Sequence, residues 1–160
     1  SGQVMNNVSM PIDAEILEVI DETPTIKTFV LKPKEQIPFA TGQFMEVTVP
    51  GLGEAPFTPS SSPNVKETLD FMIMSVGKVT EELHKMGKGQ ILGVRGPMGK
   101  GYPIDDWKGK EILIVGGGVG AAPLRSLFLA LTERLDDYKK IVYCYGASED
   151  VGEDLDSSLS

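Results

Sequence analysis

The sequence predicts a β-barrel plus α/β fold: an antiparallel barrel over residues 1–105, followed by an incomplete α/β domain over residues 106–160. Three observations predict it. The first part contains short β-rich runs, several of them alternating with a period of two, between Pro- and Gly-rich turns. The second part reads as strand, helix and strand. A glycine-rich turn, GGGVGAAP, joins that first strand to the helix.

The first part is predicted to consist of short strands and one short helix. The β-rich runs cover residues 14–21, 25–32, 43–49, 69–76 and 91–95. Strands at this spacing, with turns between them, predict a small antiparallel barrel or sandwich. Thr80 is predicted to cap a helix over residues 81–86, which Gly87 ends. Residues 53–63 are predicted to form a polar, Pro-rich loop.

The second part has the pattern of a single βαβ unit. Residues 111–115 and 140–145 are strands of the buried type, and the helix between them has an apolar face. Such a unit normally belongs to a parallel sheet. A doubly wound nucleotide-binding domain needs further βα units, so we expect either a fragment or a partner that supplies the rest.

Composition excludes several classes of function. The net charge of −8 argues against broad binding to nucleic acid or to anionic membranes. No stretch approaches the roughly 20 apolar residues of a membrane span, and residues 1–11 lack the pattern of a signal peptide. The single cysteine, Cys144, excludes an internal disulfide framework and a four-cysteine metal site. We therefore expect a cytoplasmic protein with no nucleic-acid partner and no membrane insertion.

The glycine-rich turn is a candidate dinucleotide site. Backbone N–H groups at a helix N-terminus attract an anion, and glycines let that backbone approach a pyrophosphate closely. No Gly-Lys-Ser/Thr follows, so the turn is not a P-loop. The alternative is that these glycines only make a tight turn in an α/β domain. The candidate residues are Gly116, Gly117, Gly118, Val119, Gly120, Ala121, Ala122 and Pro123.

Two further segments carry candidate binding residues. In GEAPFTPSSSP, residues 53–63, hydroxyl groups can hydrogen-bond a polar heterocycle while Pro56 and Phe57 pack on its face. The alternative is a surface turn. Gly77-Lys78-Val79-Thr80 opens the short helix as a second candidate anion site, and the alternative is an ordinary N-cap threonine.

In this order and spacing, the three segments resemble the ferredoxin–NADP reductase superfamily, from about Ala14 to the end of the chain. That family joins an antiparallel flavin-binding barrel to a nucleotide-binding α/β domain. Its flavin motif, Arg, any residue, Tyr and Ser/Thr, falls here on Ala55, Pro56, Phe57 and Thr58, and a run of small residues follows.

The resemblance implies roles for these residues. Thr58 would hydrogen-bond the redox-active nitrogen of the flavin, Phe57 would pack against the ring system, and Pro56, Ser60 and Ser61 would belong to the same cofactor site. Residues 77–80 would hold the FAD pyrophosphate, and residues 116–123 would hold a nicotinamide dinucleotide.

The segment after the second strand is where the family reads the adenosine ribose. Gly146 and Ala147 fall there, and Ser148, Glu149 and Asp150 follow. These three residues offer no base for the extra phosphate of NADP, which favours NAD.

Ala55 stands where the family usually has an arginine. Basic residues near the second anion site could offset its loss: Lys78, Lys85, Lys88, Arg95 and Lys100. Glu-Ala-Pro before the serines is most similar to the electron-transfer branch, which includes the gamma subunits of cytoplasmic hydrogenases and the electron-transfer subunits of anaerobic sulfite reductase and dihydroorotate dehydrogenase. Such proteins usually carry a [2Fe–2S] cluster in a C-terminal segment. With one cysteine here, a cluster is expected only in a missing segment or a partner.

The resemblance therefore implies an NAD(P)H-dependent flavin oxidoreductase subunit. It would pass electrons in either direction between NAD(P)H and a larger iron–sulfur or hydrogenase-type redox subunit, through FAD. The alternative is a non-catalytic flavin- or partner-binding module with an incomplete, idle nucleotide domain. Among single residues, His84 is expected to be solvated or capping, whereas Met72, Met74 and Cys144 are expected in the core.

Overall fold

The computed structural model of the protein describes residues 10–117 and 120–146. Gly118, Val119 and Ala147, three of the predicted binding residues, lie outside this range. In chain order the strands and helices are β1 Ile12–Asp21, β2 Ile26–Pro33, β3 Phe44–Val49, β4 Gly53–Phe57, β5 Leu69–Met74, α1 Lys78–His84, β6 Ile91–Met98, β7 Glu111–Gly117, α2 Ala121–Thr132 and β8 Lys140–Gly146. Short 3-10 helices lie at Ile104–Trp107 and Leu135–Asp137.

The first six strands form one antiparallel sheet in the order β4-β3-β6-β1-β2-β5. Every pairing in it is antiparallel, and a bulge interrupts β1 opposite β2 between Ile16 and Glu18. The two edge strands, β4 and β5, come into contact. The sheet therefore curls on itself, which is the barrel-like architecture that the spacing of the strands predicts.

The inward face of this sheet forms the larger of two apolar cores. On β5, Leu69, Phe71 and Ile73 are buried, whereas Met72 and Met74 alternate with them and are half-buried on the other face. The expectation that these methionines are core residues is wrong, because period-two alternation assigns the core to the odd-numbered positions. Phe29 and Phe71 face each other across β2 and β5, and both are fully buried.

The second core belongs to the βαβ unit. Strands β7 and β8 pair in parallel, from Glu111 opposite Lys140 to Gly117 opposite Gly146. Helix α2 packs on one face of these strands, and its Leu127 and Leu131 are buried with Ile114 and Ile141. This arrangement confirms the predicted strand–helix–strand unit of a partial nucleotide-binding domain.

The sequence does not predict strand β4, because Gly, Glu, Ala and Pro are all depleted in strands. Residues 53–57 nevertheless pair with β3, from Gly53 opposite Val49 to Phe57 opposite Met45. Pro56 is tolerated because β4 is an edge strand of the sheet. The loop predicted over residues 53–63 is therefore confined to its second half.

Helix α1 begins before the predicted N-cap. Its first residue is Lys78 and its N-cap is Gly77, so Thr80 lies inside the first turn. The last residue, His84, expected to be solvated or capping, is half-buried, and its Nε2 lies 2.7 Å from the carbonyl oxygen of Ile73. His84 thereby fastens the end of α1 to β5. Cys144, expected in the core, is half-exposed. Among the described residues, no helix is long and apolar enough to cross a membrane.

Gly116 gives a test of how α2 packs on β7. A Cβ atom at this position would overlap Leu124 Cδ1. We expect Gly116→Ala to lower the free energy of unfolding by about 0.5–1.5 kcal/mol, because the flexible end of the Leu124 side chain must turn away from its packed rotamer. Chemical denaturation measures the effect, and Gly120→Ala is the control, since a Cβ there meets nothing within 4 Å.

A double-variant cycle isolates the cause. In a Leu124→Ala background the cost of Gly116→Ala should disappear, because the overlapping atoms are gone. An equal cost in both backgrounds would contradict this account of Gly116.

Candidate functional site

Thr58 directly follows β4, at the end of the edge strand. Along this strand, Glu54 and Pro56 are exposed on one face, while Ala55 and Phe57 are half-buried on the other. Phe57 packs against the barrel core. The structure therefore separates two residues that the sequence placed on the same ligand face. Phe57 lies on the core side and Pro56 on the outer side.

The segment after β4, residues 58–63, is here called the serine loop. Ser60, Ser61 and Ser62 are all at least 95% buried, and each hydroxyl has a protein partner. Ser60 Oγ lies 3.3 Å from the carbonyl oxygen of Asp70, and Ser61 Oγ accepts a hydrogen bond from Asp70 N at 3.0 Å. Ser62 Oγ contacts a carboxylate oxygen of Glu133 and accepts from Asn64 N. These hydroxyls fasten the loop to the protein.

Thr58 differs from its neighbours in the serine loop. Its side chain is half-buried, and its hydroxyl makes no hydrogen bond within the described part of the chain. A partly buried hydroxyl normally has a partner in protein or water. Thr58 is therefore the serine-loop residue whose side chain is available to a ligand.

The turn at the start of α1 is built around the Thr80 hydroxyl. Thr80 Oγ1 accepts from Val76 N at 2.8 Å and from Gly77 N at 3.0 Å, and donates to the Gly77 carbonyl at 3.0 Å. It is fully used by the chain, so it closes the turn instead of facing a ligand. The next N–H groups, of Lys78, Val79 and Thr80, belong to the first helical turn and have no intrahelical acceptor.

The sequence offered five bases in place of the missing arginine, and two of them are engaged. Arg95 forms a bidentate pair with Glu54, with Nη2 2.6 Å from Oε1 and Nε 3.1 Å from Oε2. The Arg95 hydrogen bond lowers the pKa of the Glu54 carboxyl, and the Glu54 hydrogen bond raises the pKa of Arg95. Lys85 pairs with Glu82 at 3.0 Å. The other three of these five bases, Lys78, Lys88 and Lys100, form no ion pair with a described residue.

The glycine-rich turn lies at the carboxyl end of the parallel strands. Gly117 on β7 is the direct neighbour of Gly146 on β8, so two predicted dinucleotide segments meet at one edge. Helix α2 starts at Ala121, with Gly120 as its N-cap and Pro123 in its first turn. Ala121 and Ala122 are buried, which makes them packing residues of the helix start. Gly116 also serves packing, because Leu124 occupies the space of its missing side chain.

Helix α2 also contacts the serine loop, a feature that sequence reasoning missed. Arg125 Nη1 donates to the Ser60 carbonyl oxygen at 2.8 Å, and Glu133 is the partner of the Ser62 hydroxyl. In sequence, Arg125 and Glu133 read as ordinary exposed residues of an amphipathic helix. No local pattern signals a partner more than 60 positions earlier in the chain.

Asp70 lies beside this contact. Burial raises the pKa of its carboxyl above the ordinary value, the nearby Arg125 charge opposes that rise, and Glu18 adds to it. Its backbone N–H and carbonyl hold Ser61 and Ser60. No group of three or more His, Cys, Asp or Glu side chains could hold a metal ion in residues 10–117 and 120–146.

Comparison with known proteins gives the family. Residues 14–102 match the family described as the oxidoreductase FAD-binding domain, which covers more than half of the chain. The chain belongs to this family.

Curated relatives place the chain within the family. It is 37% identical over 134 residues to sulfhydrogenase 1 subunit gamma of Pyrococcus furiosus, covering 81% of this chain and 46% of that protein. It is 42% identical over 117 residues to a probable dihydroorotate dehydrogenase B (NAD(+)) electron transfer subunit of Methanocella arvoryzae, covering 73% of this chain and 42% of that protein. The chain spans about half the length of these relatives.

Solved structures show the same fold. A ferredoxin NADP+ reductase from Neisseria gonorrhoeae, solved with bound FAD and NADP, superimposes with a TM-score of 0.74 at 22% identity, over 86% of this chain and 57% of that one. The resemblance in the sequence to the ferredoxin–NADP reductase fold is thereby confirmed.

The residues present fit an FAD group. The Thr58 hydroxyl is half-buried without a partner among residues 10–117 and 120–146, and the N–H groups of the first turn of α1 have no intrahelical acceptor. Open space adjoins the same turn, because a Cβ at Gly77 would meet nothing within 4 Å. The neighbouring Val76 is an exposed apolar side chain, 72% accessible, that a bound ring system could cover.

The Thr80 hydroxyl gives a test of the turn. Thr80→Val removes the acceptor of two N–H groups, so we expect the free energy of unfolding to fall by about 1–2 kcal/mol. Thr80→Ser keeps the hydroxyl and should retain most of that stability. Urea denaturation of the three proteins measures the difference, and a Val variant as stable as the Ser variant would contradict the assigned role.

Asp70 predicts a pH effect of definite sign. Because burial raises its pKa in the folded protein, the folded state binds this proton more tightly than the unfolded chain. Its contribution to stability is therefore favourable at low pH and is lost as the pH rises from the ordinary aspartate pKa through the raised one. Asp70→Asn removes this dependence, so the variant should gain stability relative to the natural protein across that window.

Urea unfolding at pH steps from about 3.5 to 7 measures the gap between the two proteins. Asp106→Asn, at an exposed carboxylate, is the control. A gap that stays flat or shrinks with rising pH would contradict the burial of Asp70.

Proposed function

We propose that this chain is the FAD-binding part of a cytoplasmic electron-transfer subunit, which passes electrons between NAD(P)H and an iron–sulfur partner. The observation that carries the proposal is the Thr58 hydroxyl, which is half-buried without a described partner beside three buried serine hydroxyls that all have one. The family membership of residues 14–102 supports the choice of FAD.

The residues divide into two binding sites. Thr58 would donate to, or accept from, the polar edge of the flavin ring, and Phe57 would contribute apolar surface at its core side. The turn formed by Gly77, Lys78 and Val79 would hold the pyrophosphate with backbone N–H groups, with the Lys78 ammonium adding positive charge. The backbone at Gly117 and Gly120 would hold the nicotinamide dinucleotide, with Gly146 beside it.

When bound, FAD supplies a ring that accepts two electrons as a hydride and releases them singly. The protein's own contribution is to place the two rings and to exclude water. No residue in these sites has to act as an acid or base in that scheme. The single histidine of the sequence, His84, is therefore not needed for catalysis, and its ring instead bonds to the Ile73 carbonyl and holds the end of α1 against β5.

The iron–sulfur partner is the least direct part of the proposal. Its support is the similarity to a hydrogenase gamma subunit and to an electron transfer subunit of a dehydrogenase. The whole chain holds one cysteine, too few to ligate a four-cysteine cluster itself. We propose that such a cluster lies in a larger partner or in a further segment of the same protein.

Flavin binding and reduction test the proposal. The purified protein, expressed in its natural reading frame and reconstituted with FAD, should retain flavin absorbance after gel filtration and bleach on anaerobic addition of NADH or NADPH. Thr58→Val should lower the rate of bleaching by up to about tenfold, because one hydrogen bond to the reacting ring is lost. Thr58→Ser, which keeps the hydroxyl, should remain near the natural rate.

Each contrary result has a definite meaning. Protein that retains no flavin would overturn the proposal. Protein that binds FAD but is not reduced by either nucleotide would favour the non-catalytic binding module. Unchanged flavin binding and reduction in Thr58→Val would remove Thr58 from the site.

A further inference from the structure

Helix α2 lies between the two parts of the molecule and uses two different faces. One face, with Leu127 and Leu131, packs against β7 and β8. A second stripe consists of small residues at every fourth position, Ala122, Ser126 and Ala130, which are 8%, 0% and 2% exposed. At 100° per residue, this stripe points away from the parallel strands. Because these small side chains are buried, helix α2 is covered on this side as well.

Helix α2 also meets the serine loop through two of its side chains, Arg125 and Glu133. This contact is here called the seam. Arg125 Nη1 donates to the Ser60 carbonyl oxygen at 2.8 Å, and the Ser62 hydroxyl donates to the Glu133 carboxylate. Arg125 and Glu133 are eight residues apart, which is about 12 Å along the helix. Attachment at two separated points restrains both the position and the rotation of the helix, whereas a single contact would restrain only one of them.

The loop end of each attachment is itself rigidly held. Ser60 N donates to the Asp70 carbonyl at 2.8 Å, and Asp70 N donates to Ser61 Oγ at 3.0 Å. Asp70 is part of β5, so the path from α2 through the serine loop ends in the barrel sheet. Arg125 therefore contacts a group that is fixed to the barrel sheet, and Glu133 contacts the buried hydroxyl of Ser62 in the same loop.

The seam connects the two predicted nucleotide sites by very short segments. Thr58 is two residues before Ser60 in the serine loop. The glycine-rich turn leads directly into α2, whose first residue, Ala121, is four residues before Arg125. Any shift of α2 relative to the serine loop would change the distance between the flavin edge and the nicotinamide turn. Hydride transfer is steeply sensitive to that distance.

We propose that Arg125 and Glu133 are positioning residues that lock helix α2 to the serine loop and thereby set the distance between the nicotinamide and flavin sites. This inference rests on the proposed function. Neither side chain touches a nucleotide in this scheme. Their loss should slow electron transfer within the bound complex while leaving the affinity for each cofactor largely unchanged.

Stopped-flow reduction of the FAD-loaded protein by NADH or NADPH tests this, using the protein expressed in its natural reading frame. Arg125→Met removes the N–H donors and the charge of the guanidinium while keeping a side chain of similar length. We expect the limiting rate to fall at least about tenfold. The FAD dissociation constant and the nucleotide concentration for half-maximal rate should change less than about twofold. Arg125→Lys, which keeps one donor, should recover part of the rate, and Glu133→Ala should behave like Arg125→Met.

Lys139→Met is the matched control, because it also removes an exposed cation but lies away from the seam. A limiting rate in Arg125→Met equal to that of this control would overturn the proposal. A rate loss matched by an equal loss of FAD affinity would overturn it as well, because Arg125 would then support cofactor binding.

Amide hydrogen exchange separates this inference from the proposed function, because it needs no cofactor. In Arg125→Met, exchange at the Ser60 and Asp70 amides should accelerate at least about tenfold, while exchange in β1 and β2 stays unchanged. Unchanged exchange at Ser60 and Asp70 would show that Arg125 does not hold helix α2 to the serine loop, regardless of the result of the flavin reduction experiment. Accelerated exchange in a protein that is never reduced by a nucleotide would preserve the lock but overturn its role in electron transfer together with the proposed function.

Discussion

The central constraint on this structure is that the buried hydroxyl groups of the serine loop must all form hydrogen bonds. Ser60, Ser61 and Ser62 carry hydroxyls out of reach of water, and a buried polar group without a partner costs about 1–3 kcal/mol. The partners come from two directions, the backbone of Asp70 on β5 and the Glu133 side chain of α2. Ser62 Oγ also accepts from Asn64 N, so Glu133 adds a second partner there, and the loop is held by both the barrel sheet and the βαβ unit.

This constraint divides the hydroxyls of the loop into two kinds. Those of the serines are consumed in holding the chain, as is the Thr80 hydroxyl in the turn before α1. The Thr58 hydroxyl remains. The candidate pyrophosphate site at the start of α1 likewise has few free side chains. Ala55 stands in place of an arginine and Arg95 is paired with Glu54, so pyrophosphate binding would rest chiefly on backbone N–H groups. Such groups are fixed by the helix itself, so they need no side chain to be ordered when a ligand arrives.

The sequence was sufficient where local pattern and tertiary structure agree. Period-two alternation predicted β3 and β5, and the apolar strand followed by glycines predicted β7 and the start of α2. Prediction failed where a distant partner decides. Residues of β4 are poor strand formers that the edge of β3 recruits. The Thr80 hydroxyl is a different case, because it bonds to its close neighbours Val76 and Gly77, a local contact that the N-cap pattern does not distinguish from a cap. The roles of Arg125 and Glu133 depend on contacts across 65 and 71 positions, which no local pattern encodes.

The two cores of the molecule are unequal, and this makes α2 the element on which the second one depends. The barrel core includes many fully buried side chains, whereas the βαβ core is small and leaves Leu113 and Val115 of β7 about two-thirds exposed on the face away from α2. On the barrel side, helix α2 is held through Arg125 and Glu133, which bond to Ser60 and Ser62 of the serine loop. A helix held on both sides links the two units, so the contacts of Arg125 and Glu133 also bear on the position of the helix start at Gly120 and Ala121.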